Sequence, residues 1–264
     1  MRSLFAGSFF GPEEIESAFT MKDAQGKDVK LIELTPQERQ EANRLLKEKL
    51  GEPDLNAFLD EMKKTPDELK KNWALTLRVS TIRDEKGNRI PLTMEALHKD
   101  ARIIAKMKEI DPNQKSVFWF GFDSAKTETF FTQHTPTHSL DPKQQSPSMR
   151  WSLTTRALVP ETLSAIHTTN GTKIGQNDLL KEFATKKKLN FVLTDRRTPI
   201  QITQDVLTRF LKTGERELPN VLDWTDVDSV GFRVFLGRFA PVGLHVNRNA
   251  PSNSLRSLGA SLSR

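Results

Sequence analysis

The chain has 264 residues, 36% apolar and 28% charged, with a formal net charge of +6, a composition that excludes collagen-like, low-complexity and wholly disordered classes. Cysteine is absent, so disulfides, thiolate nucleophiles and Cys-ligated zinc or iron–sulfur centres are excluded too. No apolar run approaches the roughly 18 residues of a membrane span.

Charge divides the chain. Residues 1–120 carry 21 basic and 21 acidic side chains, so the whole positive excess lies in residues 121–264. From Ser229 onward there are five arginines, Arg233, Arg238, Arg248, Arg256 and Arg264, and no acid. Such asymmetry points to an anionic partner.

The N-terminus, Met1 to Pro12, sets one arginine before a short apolar stretch, as a secretion signal does. Gly7 and Ser8 interrupt it and Pro12-Glu13-Glu14 follows directly, so no cleaved signal is expected. The compartment is then cytoplasmic by default, with export by a route lacking a cleaved signal left open. Phe5, Phe9 and Phe10 either pack on the core or form a docking peptide for a partner.

Thr35-Pro36-Gln37-Glu38 is a capping box with proline at the first helical position. It opens a helix carrying Ala42, Leu45, Leu46 and Leu50, which Gly51 stops. Further helices are expected from Asp54, from Thr65-Pro66 and from Met94 to about Glu109. Leu75, Leu77 and Val79 alternate as a strand, and Asp84 to Asn88 turns it into a hairpin. Ser116 to Phe122 is apolar on both faces and reads as a central strand. Residues 134–149 form a polar loop or linker.

Beyond it, strands are expected near Trp151–Val159, Leu189–Thr194, Ile200–Thr203, Gly231–Leu236 and Val242–Val246. Helices are expected near Asn177–Lys187 and Asp205–Thr213. The fold class is α+β, with a helix-rich N-terminal half and a mixed or antiparallel sheet with a few helices in the C-terminal half. The expected units are 1–115, helix-rich and neutral; 116–248, basic α+β; and 249–264, a flexible Ser/Arg tail. The three are separate or form one continuous domain.

Candidate sites are of three kinds. His134 and His138, with Asp141, could fold around a metal, although Pro136 between them spoils the one-face helical geometry such pairs need. Ile166-His167-Thr168-Thr169 and Leu244-His245-Val246-Asn247 lie 78 residues apart. They resemble the paired His-x-Ser/Thr motifs of the two-histidine phosphoesterases. The resemblance implies one histidine as base and the other as acid, with Thr169 holding phosphate; Asn247 departs from the motif. The third kind is basic: Lys186, Lys187 and Lys188 close a helix, Arg196 and Arg197 sit in a following turn, and Arg233 and Arg238 interleave with aromatics.

Phosphate-cradling and nucleophile-elbow motifs are missing. The leading expectation is therefore a non-catalytic protein that binds an anionic partner (nucleic acid, acidic protein or phosphorylated surface) through one basic surface, with no cofactor. The alternatives are a phosphoesterase-like or metal-dependent enzyme centred on these histidines, and a scaffold or assembly subunit.

Overall fold

The structure is a computed structural model and describes residues 1–120, 148–167, 169, 171, 173–190, 196–229 and 232–264. It begins with helix α1 (Arg2–Phe5), strand β1 (Phe9–Phe10) and helix α2 (Pro12–Ala18), then the hairpin β2 (Thr20–Lys22) and β3 (Asp28–Lys30). Helix α3 (Pro36–Gly51) starts where its capping box places it. The Glu38 N–H donates to Thr35 Oγ1 at 3.2 Å, and the Thr35 N–H donates to the Glu38 carboxylate at 2.8 Å. Thr35→Ala should therefore lower stability by about 1 kcal/mol in urea unfolding. An unchanged midpoint would show that the cap contributes nothing.

Helices α4 (Pro53–Met62) and α5 (Pro66–Asn72) lead into β4 (Trp73–Arg78) and the hairpin β5 (Thr81–Arg83) and β6 (Arg89–Pro91). The single helix expected from Met94 is two, α6 (Met94–Lys99) and α7 (Ala101–Ile110). Asp100 divides them: its backbone is extended, and its carboxylate accepts from the Arg102 N–H at 3.0 Å, capping the second. There follow β7 (Phe118–Phe120), β8 (Arg150–Thr155), α8 (Gln176–Lys186), α9 (Pro199–Thr213), β9 (Leu222–Ser229), β10 (Phe232–Ala240), β11 (Gly243–Asn249) and β12 (Leu258–Gly259). The fold is mixed α+β.

Two larger sheets organise it. One has the order β1-β4-β8, the other β12-β9-β10-β11-β7. The β7 strand was expected to be central, but among the described strands it pairs only with β11 and forms an edge. That explains why Phe118 and Phe120 are buried while Trp119, on the opposite face, is 37% exposed.

Helix α9 overturns another expectation. Ile200–Thr203, expected as a strand, forms its first turn, and the Gln201 side chain accepts from the Thr198 N–H at 3.0 Å. The helix is buried from Pro199 to Leu211, packed on α2, α7, β4 and β10. A helix buried on every side belongs in the middle of a core, and its polar residues then require internal partners.

One apolar cluster draws on residues from Phe5 to Leu262. Phe5, Phe9 and Phe10 belong to it, so the docking role considered for them fails: their rings are already enclosed. The tail expected to be flexible also departs from expectation. Leu258 to Ser263 is buried, with Leu258 and Gly259 paired parallel to β9. Farther on, Thr155 N–H donates to Leu262 O at 2.9 Å and Leu153 N–H to Arg264 O at 2.7 Å. The segment thereby joins the two sheets.

Candidate anion-binding pocket

The seven basic residues expected to share one surface are dispersed. Lys186, Lys187 and Lys188 stay near the surface and pair with Glu182, Glu68 and Glu61. Arg238 is exposed and donates to Ser257 at 3.0 Å, and Arg233 is half-buried on β10. Arg196 and Arg197 are not surface residues at all; each is 2% exposed.

Their burial is explained by their partners. Arg196 donates to Asn177, Gln176 and the Trp224 carbonyl at 2.8–3.0 Å. Arg197 donates to Asp205 at 3.0 Å, Asp223 at 2.9 Å and Ser261 at 3.0 Å. Asp205, on α9, also takes two bonds from Arg78 of β4, at 3.1 and 2.6 Å. Arg78 in turn reaches Ser263 at 3.1 Å. Two arginines and two aspartates thus alternate through the interior and fasten the last residues to β4, β9 and α9. Burial raises the Asp205 pKa, but Arg78 and Arg197 outweigh it and hold it below the usual carboxylate range. The network is internally neutralised and has no charge left for an outside ligand.

A different group of arginines lines a surface pocket of about 210 Å³, together with Lys71, Glu215, Glu217, Leu218 and Pro219. The arginines are Arg156, just after β8; Arg209, on the last turns of α9; and Arg216, in the loop that follows. Their positions are set by strong local contacts. Arg209 is held by Glu217 and lies over the Phe10 ring, 5.0 Å from its centroid. Arg216 is sandwiched near Phe210 and Phe239 and donates to Asp111 and Gln114, both at 2.7 Å. Arg156 donates to the Lys70 carbonyl at 2.9 Å.

Glu215, 57% exposed at its side chain, bridges Arg156 at 2.8 Å and Arg209 at 3.2 Å with one carboxylate oxygen. Even so, Arg156 Nε, Arg209 Nη2 and Arg216 Nη1 are buried without an acceptor among the described residues. Buried donors are nearly always paired, so three unpaired guanidinium nitrogens around one pocket need a reason. Four basic side chains against two acidic ones leave the lining positive. Burial, then repulsion from Arg209, lowers the Arg156 pKa, and an anion placed between the two would relieve both.

The histidines do not converge on such a site. His167 packs 5.3 Å from Trp224, and His245 packs 4.3 Å from Trp119 and 5.9 Å from Phe235. Burial, with Arg196 and Arg233 nearby, pushes His167 down to about 3; burial and Arg238 push His245 down to about 4. A general acid must carry its proton near working pH, and both imidazoles are neutral there. The Thr169 hydroxyl bonds Asp178 and accepts from the Gly175 N–H at 2.8 Å, closing its own loop. His134, His138 and Asp141 lie outside the described residues. Among the described residues no cluster of three or more His, Asp or Glu could hold a metal ion, and no helix is long and apolar enough to cross a membrane.

Sequence reading missed Arg156, Arg209 and Arg216 because they belong to three separate segments. The available signal was Arg209 itself, a charge flanked by Leu207, Phe210 and Leu211. In comparisons with known proteins, no family model, no curated protein and no solved structure matches the chain.

Proposed function

We propose that the protein is a non-catalytic binding protein that holds one anionic group, a phosphate or carboxylate, between Arg156, Arg209 and Arg216. The supporting observation is the set of buried guanidinium N–H groups, one on each arginine, that find no acceptor among the described residues around a single positive pocket. Guanidinium forks match the geometry of both oxyanions and bind them with charge-assisted hydrogen bonds. The pocket's size suits a compact charged group, which favours a phosphorylated or carboxylated ligand over a polyanion tracked along a basic stripe. Glu215 acts as the resident counter-charge that such a ligand displaces.

Calorimetric titration of the full chain with inorganic phosphate and pyrophosphate at low salt tests this. Arg156→Gln, at a half-buried position, should weaken binding about 10- to 100-fold, the loss expected for a charge-assisted hydrogen bond. Glu215→Gln should strengthen it, because the internal competitor loses its charge. Lys188→Ala and Arg238→Gln should each change affinity by less than about twofold, as solvated charges do. Losses of equal size at all of these positions would replace the pocket with a diffuse basic surface, and no binding of either anion would overturn the proposal.

A further inference from the structure

The arginine pocket has a larger neighbour. A cavity of about 550 Å³ is lined by Trp73, Ala157, Leu158, Val159, Pro160 and Phe183, among others. That volume lies within the range of small-molecule sites, about 300–1,000 Å³, whereas the arginine pocket alone is too small for more than a head group. Its accessible ring is that of the half-buried Phe183, which stacks at an interplanar angle of 20° on the buried Trp73. Its ionic residues, Glu68, Glu161, Lys186 and Lys187, balance in charge, so it offers apolar surface without favouring an ion.

The two cavities share a thin wall. Lys71 and Arg156 line the arginine side, and their chain neighbours Asn72 and Ala157 line the apolar side. One backbone hydrogen bond, from Arg156 N–H to Asn72 O at 2.8 Å, joins these segments. Ala157 is exposed and lines both cavities, so the two meet at this residue.

We infer that the ligand is a small amphipathic acid: a flat aromatic or branched apolar body seated beside Trp73 and Phe183, with one terminal phosphate or carboxylate passing Ala157 to the arginines. The inference rests on the anion-binding reading above and adds the class of molecule that carries the anion. Linking two separately held groups raises affinity without new contacts, provided the link can span the sites.

The test uses the full chain and compares inorganic phosphate, naphthol, naphthyl phosphate and naphthoate by calorimetry. Naphthyl phosphate should bind about 100-fold or more tighter than inorganic phosphate. Phe183→Ala, at a half-buried position that lines the apolar cavity and not the arginine pocket, should remove most of that advantage and leave inorganic phosphate within about twofold of the parent, which also shows that the variant is folded. Naphthoate binding tighter than naphthyl phosphate would keep the inference and assign a carboxylate head. Naphthyl phosphate no tighter than inorganic phosphate, or an advantage that survives Phe183→Ala, would overturn the inference while the anion pocket stands. Equal binding of naphthol and naphthyl phosphate, with no binding of inorganic phosphate, would overturn the anion reading itself.

Discussion

Asp205→Ala is expected to lower the free energy of unfolding by about 3–5 kcal/mol, the usual cost of leaving buried charges without their partner. Asp205 is 7% exposed and takes hydrogen bonds from both Arg78 and Arg197. Its removal strands the Arg78 guanidinium and leaves Arg197 with Asp223 as its one carboxylate partner among the described residues, both arginines being about 2% exposed or less. The effect should appear as a melting temperature lower by roughly 10 °C. Arg78→Met in the same background should restore part of the loss, because one stranded charge is then gone. The coupling energy in the double-mutant cycle should exceed about 1 kcal/mol. Additive losses, or a cost below about 1 kcal/mol for Asp205→Ala, would mean that the network does not hold the interior together.

Acid should destabilise the protein well above the carboxylate range. His167 and His245 are held at about 3 and about 4 in the folded chain, mainly by burial, and both titrate near 6.5 when unfolded. Between these values the unfolded chain binds protons that the folded chain refuses. Stability is therefore complete above about pH 6.5 and falls as the pH drops through the window toward the folded values. Each histidine contributes up to about 1.4 kcal/mol per pH unit, so the pair gives a slope of roughly 2–3 kcal/mol per unit. His98, whose pKa is also lowered by burial, adds in the same direction. Urea unfolding at pH 7, 6 and 5 measures this slope, and His245→Gln should reduce it by about one proton. A flat profile from pH 7 to 5 would place both rings in contact with water.

Local chemistry carried the outer elements of the fold and failed for its centre. The capping box at Thr35, the alternation of Leu75 and Leu77 and the turn at Asp84–Asn88 each act within a few residues, so a short window contains the whole cause. Helix α9 and the final segment depend on partners far away: Arg78 and Asp205 are 127 residues apart, and Arg197 and Ser261 are 64 apart. Read alone, Asp205, Arg209, Ser261 and Ser263 look like solvent-facing positions, and only their mutual pairing makes burial affordable. Arg196 and Arg197 misled for the same reason, since adjacent arginines before a helix resemble a wet turn until Gln176 and Asn177 are placed beside the first and Asp205 and Asp223 beside the second. Charge asymmetry directed attention to the second half, where the three arginines of the proposed pocket lie. It could not separate arginines neutralised inside the protein from those left with unpaired donors.

The most direct measurement of the anion site is the arginine side-chain ¹H–¹⁵N spectrum of the full chain during titration with pyrophosphate. The Nε–H of Arg156 is buried and lacks an acceptor among the described residues, so its signal should move progressively and saturate, identified by its absence from the Arg156→Gln spectrum. The midpoint should agree with the calorimetric dissociation constant, while the exposed Arg238 signal stays in place. An Arg156 signal that does not move at saturating pyrophosphate, or one that moves no more than that of Arg238, would contradict the account.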